Sequence, residues 1–497
     1  MTISYYLVMK WCLLILIISV SSCSNPKNEI ITGSKKFTES VILGEIIKHT
    51  GFYSGVDVLH KEQLGGTRVL WNSLLNGEID LYPDYTGTII QEILNDKNIS
   101  TENEMTRELD KLGIKVTGPL GFNNTYAIGI KKKKENLTKI SQLNDYPDWK
   151  LGFTNEFMDR NDGWPGLRNH YNLIHKNVTG LDHDLAYRGL ESGSIDVIDL
   201  YSTDAEIKYY NINVLEDDLN YFPVYNAVIL YRKELEETNP AFVKNLLLLK
   251  NSINEKKMVE MNSSVKIDKE KEDKVAAEFV KTKFDYKPEI KEETLISRLL
   301  KNTKEHLFLV IISLLGAILF SIPLGIIAYK IPQLKQLILN TTGIIQTIPS
   351  LALLVFMIPF FGIGEFPAIA ALFLYSLLPI VRNTFLGIEN IPLQTRESAV
   401  VLGLSNFTIL KKIELPLASR SIIAGIKTSA VINVGTATLG ALIGAGGFGQ
   451  PILTGIRLDD IQLILEGAIP AALLAIIVQW LFELSEKIFV PKGLRIN

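Results

Sequence analysis

The sequence predicts two unlike parts in series: a two-lobed α/β domain, then an all-α membrane domain of five helices, six if the second is split. Three observations predict it. From Lys27 to about Tyr286 apolar and charged residues alternate as in a globular domain, whereas from about Leu307 onward long apolar runs are broken only by short polar loops. Within the first part, β-like runs at 29–33, 56–59, 150–153 and 195–199 alternate with helical stretches, the pattern of a largely parallel sheet covered by helices. Finally, 497 residues exceed one ordinary core, and 47% hydrophobic residues with a mean hydropathy of +0.18 are high for a wholly soluble chain.

The leader, residues 1–23, carries Lys10, an apolar stretch from Trp11 to Val20, and Ser21-Ser22-Cys23. That stretch is shorter than the ~20 residues a bilayer needs, so it reads as a secretion signal. Val20-Ser21-Ser22-Cys23 resembles a bacterial lipobox, which makes Cys23 the lipidation candidate and first residue of the mature chain. Read instead as an uncleaved anchor, the leader still sends the globular part out of the cytoplasm. Cys12 and Cys23 are the only cysteines, so the rest of the chain holds no disulfide, cysteine metal site or cysteine nucleophile.

Residues 29–286 are expected to form the two lobes, 29–124 with 226–286 and 125–225, the chain crossing near Phe122–Tyr126 and again near Tyr221–Tyr225. Ligands of such folds sit where strand C-termini and helix N-termini converge. A linker follows at 287–304, ending in an interfacial helix at Leu295–Leu300, and the membrane domain runs from 305 to 490. Its spans are predicted at 306–329, 337–361, 366–388, 422–443 and 461–489, the second kinked or split by Pro349 and Pro359. Lys330 and Lys335 in the first loop, Arg396, Lys411, Lys412 and Arg420 in the third, and Lys492 and Arg495 in the tail place those segments in the cytoplasm; in the fourth loop Arg457 is set against Asp459 and Asp460. The first span therefore starts outside, where a secreted domain leaves it.

The third loop, about 390–416, reads Glu397-Ser398-Ala399, then Gly403, then Ile413-Glu414-Leu415-Pro416. It resembles the EAA loop of ABC importer permeases, with Ser398 as the one departure. The resemblance implies a short cytoplasmic helix seated in an ATPase subunit, with Glu397, Ser398, Ala399, Gly403, Ile413, Leu415 and Pro416 as the coupling residues. Small residues would allow close helix approach, and Pro416 would end the segment. The stretches Gln346–Leu353, Leu374–Thr384 and Gly444–Gly449 resemble the betaine and choline branch of that family. The glycine run lacks a following Lys-Ser/Thr, and no G-x-x-x-x-G-K-[ST] occurs anywhere, so the ATPase is expected on a separate polypeptide.

The soluble half resembles the substrate-binding proteins of glycine betaine, carnitine and choline importers through Gly33–Glu39, Leu64–Thr67, Gly77–Thr88, Asn124–Ala127, Arg160–Gly163, Asp199–Asp204 and Phe222–Asn226. It implies a type II periplasmic-binding-protein domain ahead of an ABC type I importer membrane domain. It further implies a cage of Tyr85, Tyr126, Tyr201 and Tyr225 around a quaternary ammonium, with Lys35, Arg160 and Thr88 on the carboxylate; Tyr82 and Lys36 are the rivals of Tyr85 and Lys35. A trimethylammonium group has no N–H to donate, so ring faces must hold it, at about 0.5–2 kcal/mol each, without a competing anion. The carboxylate end needs charge-assisted donors, which Arg160 can supply in pairs.

The resemblance implies a homodimer through the membrane domain, two copies of a separate ATPase, a zwitterionic betaine as ligand, the lipid bilayer as surroundings, and no cofactor. The alternatives are ergothioneine, a histidine betaine needing the same cage, and a membrane-tethered sensor, which has no use for an ATPase dock. A net charge of -3 gives no basic stripe for nucleic acid, and six histidines at no metal-ligand spacing leave no metal site in sequence.

Overall fold

The computed structural model describes residues 29–97, 99, 101–131, 137–160, 162–286 and 294–491. Cys23 and the whole leader lie outside these residues, as does 287–293 of the expected linker.

Among the described residues ten strands build the α/β part: β1 (Ile30–Gly33), β2 (Val58–Lys61), β3 (Leu81–Tyr85), β4 (Ile114–Val116), β5 (Tyr126–Lys131), β6 (Leu151–Thr154), β7 (Val178–Leu181), β8 (Val197–Tyr201), β9 (Ile212–Leu215) and β10 (Ala227–Arg232). They form two five-stranded sheets, ordered β2-β1-β3-β10-β4 and β7-β6-β8-β5-β9. Each sheet is mixed rather than largely parallel as expected: β10 runs antiparallel to β3 and β4, and β5 to β8 and β9. The reason is topological. Each reversed strand is the first after the chain crosses between lobes; the crossing arrives at the cleft, so that strand must lead away from it. The two crossings are tied by an Asn123–Asn226 bridge. Apolar side chains of both sheets pack under helices, among which Thr38–Tyr53 is buried along most of its length.

The membrane part has four described helices long and apolar enough to cross a bilayer, Leu295–Lys330, Glu365–Glu389, Asn406–Ile443 and Ile461–Ile488, and a fifth span if the pair Pro332–Thr347 and Ser350–Phe361 counts as one. That pair bends by 102°, because Ile348 precedes Pro349 and is pushed to extended backbone. The first helix begins well before the expected boundary: Thr294 caps it, its hydroxyl accepting the Ser297 N–H at 3.2 Å. Leu295–Leu300 is thus the start of the span and not a separate interfacial helix, and Arg298 holds this polar entry with a bidentate pair to Glu466 at 2.8 Å. Pro416 does not end the loop either: the helix runs unbroken from Asn406 to Ile443, and the π-turn Leu410–Glu414 just before the proline accommodates its missing N–H. In mid-bundle Asn433 joins three helices, donating to Ser313 and accepting from Ser376, both at 3.0 Å.

Candidate ligand-binding site

All seven residues expected in the cleft, Lys35, Tyr85, Thr88, Tyr126, Arg160, Tyr201 and Tyr225, line one cavity between the lobes. Strand register explains the grouping. Tyr126 opens β5 and Tyr201 closes β8, and the two are directly opposed on the antiparallel ladder, so their rings share a face at 5.1 Å. Tyr225 ends the return crossing and meets Tyr126 edge-on at 5.8 Å. Tyr85 closes β3, opposite Ala227. Gly87 makes room for Tyr225: a Cβ there would lie 2.5 Å from its ring. Burial raises the pKa of all four phenols, so these rings are neutral throughout the physiological range. Tyr82 is instead enclosed in the core of lobe one, and Lys36 lies at the mouth, half-exposed and 3.4 Å from Asp182.

The two expected carboxylate holders already have partners. Lys35 Nζ lies 2.7 Å from Asp84 and 3.1 Å from Thr67. Arg160 makes a fork with Asp162 at 2.8 and 2.6 Å and reaches across the cleft to Glu92 at 2.7 Å. Its guanidinium also sits 5.7 Å above the Tyr126 ring. Their charges are therefore balanced by fixed anions, and what they offer a solute is oriented N–H donors more than net charge.

The expectation of a cage without an anion is corrected by Glu39. Its carboxylate, 6% exposed, accepts from Thr203 at 2.5 Å, Asn124 at 2.8 Å, Asn262 at 3.1 Å and the Tyr85 hydroxyl. Burial raises its pKa, while these donors pull it back down. Glu39 links lobe one to Thr203 of lobe two and places negative potential behind Tyr85, which strengthens that ring's pull on a cation. The residue belongs to the Gly33–Glu39 stretch, but ring faces alone satisfy the chemistry asked of a cage; its place in the first turn after β1 is the signal that could have found it. Phe37 and His183 are further additions to the expected set; they pack on Tyr201 at 5.6 and 5.0 Å and extend the ring surface toward the mouth.

Ionic links between the lobes, Lys36–Asp182, Arg160–Glu92 and Lys266–Glu206 at 2.8 Å, show the cleft shut. Elsewhere in lobe one, Glu45 with His60 and Glu62, and Glu45 with His49 and Asp273, bring metal-ligating atoms together through the fold where chain spacing gave no sign. These groups bind one another: His60 bridges Glu45 at 2.7 Å and Ser34 at 2.8 Å, and Lys48 supplies a cation between Glu45 and Asp273.

The coupling candidates lie together on a loop far along the chain from the cleft. Glu397, Ser398 and Ala399 are on the helix Leu393–Val401, with Ala399 buried and the other two exposed. Gly403 turns the chain at φ +73°, a left-handed conformation that favours glycine, and nothing in this chain lies near its missing Cβ. Ile413 lies in the π-turn Leu410–Glu414, and Leu415 and Pro416 follow it within the continuous helix Asn406–Ile443. Glu414 anchors the loop through Lys330 at 2.6 Å and Arg396 at 3.5 Å.

A two-lobed cleft carried on a bundle of membrane helices defines a solute-binding domain fused to a permease. Residues 28–282 match the family model described as the substrate binding domain of ABC-type glycine betaine transport systems, and residues 321–492 match the inner membrane component of binding-protein-dependent transport systems. The chain belongs to the glycine betaine-type osmoprotectant ABC importers, with binding domain and permease on one polypeptide. It is 40% identical over 197 residues to the glycine betaine/carnitine/choline transport system permease protein OpuCB of Bacillus subtilis, covering 40% of this chain and 91% of that one. It is 30% identical over 268 residues to the ergothioneine transport permease/ergothioneine binding protein EgtU of Helicobacter pylori, covering 51% of this chain and 48% of that one. A crystal structure of a glycine betaine/carnitine/choline ABC transporter is similar at 26% identity and a TM-score of 0.45, over 51% of this chain and 98% of that one.

Proposed function

We propose that the cleft takes a quaternary ammonium solute bearing a carboxylate, of the glycine betaine kind, and delivers it to the membrane domain from outside the cell. The observation that carries this reading is the set of four neutral phenol rings around one cavity that also holds the Lys35 and Arg160 donors. Tyr85, Tyr126, Tyr201 and Tyr225 hold the trimethylammonium group; Lys35, Arg160 and Thr88 hold the carboxylate. Residues 390–416 dock a separate ATPase, two copies serving a dimer of this chain. The tip of that loop supports the docking role, since Val401 and Leu402 are 85% and 77% exposed beside Phe407, an apolar patch that a partner would cover. Glu397, Ser398, Ala399, Gly403, Ile413, Leu415 and Pro416 shape it. Cys23 is acylated and tethers the mature N-terminus.

The test is calorimetry on the detergent-solubilised full chain. Tyr201→Ala and Arg160→Ala are each expected to weaken glycine betaine binding by at least about thirtyfold, near 2 kcal/mol. Unchanged affinity in both refutes the cage. Ergothioneine is the second reading, favoured by the relative whose name it bears and which is likewise a permease and binding protein in one. A panel of betaines, carnitine, choline and ergothioneine in the same instrument ranks the two.

A further inference from the structure

By charge count alone, the fourth loop between spans sets Arg457 against Asp459 and Asp460. In the structure Arg457 turns away from both aspartates. It ends the short helix Gly449–Leu458 of the permease, and its side chain, 4% exposed, is driven into the binding domain. Nη1 donates to Thr38 at 3.1 Å, and Nη2 lies 2.6 Å from Glu272. The guanidinium lines the same cavity as the four tyrosines, one residue from Glu39 through its hold on Thr38. Its carbonyl accepts from Lys266 at 2.8 Å, and Lys266 in turn pairs with Glu206 of lobe two at 2.8 Å. Leu458 is buried in the apolar core of lobe one. Asp459, in the left-handed conformation that stops the helix, pairs with Arg188 of lobe two. Asp460 then caps the last span, accepting the Gln462 N–H at 2.8 Å.

We propose that the turn Arg457–Asp459 is the permease element that reads closure of the binding domain. It grips lobe one through Arg457 and Leu458, and lobe two through Asp459. Three consecutive residues span at most ~7 Å between their outer Cα atoms, so both grips can be held only while the lobes stand together. Opening about the 123 and 226 crossings carries Arg188 away from Asp459, while the buried Arg457 stays with lobe one. The closed cleft is thereby joined to the last span through a single capping residue. A buried guanidinium paired with a carboxylate sets position, and the exposed Arg188–Asp459 pair, weak by itself, supplies the reversible contact that distinguishes shut from open. The inference rests on the reading of the cleft as a solute site.

The test uses the full chain with Cys12→Ser and Cys23→Ser, carrying Arg188→Cys and Asp459→Cys. Oxidative cross-linking is measured with and without glycine betaine, and binding is measured on the same protein. Cross-linking at least about fivefold faster with solute supports the clamp. Equal rates in a chain that binds the solute overturn the clamp and leave the cleft reading standing; a chain that binds no quaternary ammonium solute overturns both. Charge exchange provides a second measurement. Arg188→Asp and Asp459→Arg alone should each cut solute uptake by cells several-fold, and the double exchange should recover it. Full uptake in both single variants, or no recovery in the double, overturns the clamp.

Discussion

In lobe one the strand ending at Tyr85 carries a buried carboxylate, Asp84; in lobe two the strand at the equivalent place in the sheet ends at Tyr201 and carries Asp199. Both point a cage ring at the cleft from a strand C-terminus. Their carboxylates are held by different partners. Asp84 takes the ammonium of Lys35 at 2.7 Å and the N–H of Tyr85 at 2.9 Å. Asp199 takes only neutral donors, the N–H and hydroxyl of Thr154 at 2.6 and 2.7 Å, and burial raises its pKa to about 6. One plan thus yields a carboxylate paired with a cation at one cleft end and a carboxylate held by neutral donors at the other. The lesson is that topology fixes where a side chain arrives, while its neighbours decide what charge it can keep.

Breaking the ion pair is the sharpest way to separate the lobes. Asp84→Ala leaves Lys35 buried with no anion, at a cost of about 3–5 kcal/mol. The binding domain within the full chain should melt at markedly lower temperature, followed by tryptophan fluorescence in detergent. Adding Lys35→Met should recover most of the loss, since an apolar side chain of similar volume removes the stranded charge. A loss below about 1 kcal/mol in the single variant would show that lobe one does not depend on its pair.

Glu39 gives a smaller effect, on affinity instead of stability. Glu39→Gln keeps the shape, removes the negative potential behind Tyr85, and replaces one accepting oxygen with an NH2 group that faces donors. Affinity for a cationic solute should fall about tenfold. The pH dependence has a definite sign. The anionic form favours a cation, so wild-type binding weakens as pH falls through the Glu39 pKa, which burial places above the ordinary 4.5. The Gln variant should lack that acid limb in calorimetric titrations; an identical limb in both proteins assigns it to another group.

Much of this arrangement was legible in the sequence, and the illegible part has a common cause. The two halves of the chain follow from apolar run length, and the motifs whose family resemblance pointed to the cleft tyrosines and the third-loop residues are local in sequence. What escaped depends on pairs distant along the chain. Asp84 lies 49 residues from Lys35, Glu92 lies 68 from Arg160, and Glu272 meets Arg457 only through the fold. The reversed strands β5 and β10 also escaped, because an apolar run does not record its direction. The helix starts at Leu295 and Asn406 escaped for a third reason: capping by the Thr294 and Ser405 hydroxyls begins each helix in sequence too polar to count as membrane.

The remaining contrast between the lobes is tested by Asp199→Asn, whose net effect at neutral pH is expected within about 1 kcal/mol. The amide oxygen can still accept from Thr154, while its N–H groups forfeit the second bond. The signature is in pH. A carboxyl whose folded pKa of about 6 exceeds its unfolded value of 3.8 binds protons more tightly when folded. Its contribution is therefore fully present below pH 3.8 and is lost as pH rises to 6, about 1–3 kcal/mol across that window. The Asn variant has no such proton to lose, so the stability difference between the two proteins should shift in the variant's favour from about pH 4 to about pH 6.5 and stay flat above. A difference independent of pH across that window would mean that folding leaves the Asp199 carboxyl at its ordinary acidity, and that burial in lobe two does not raise it.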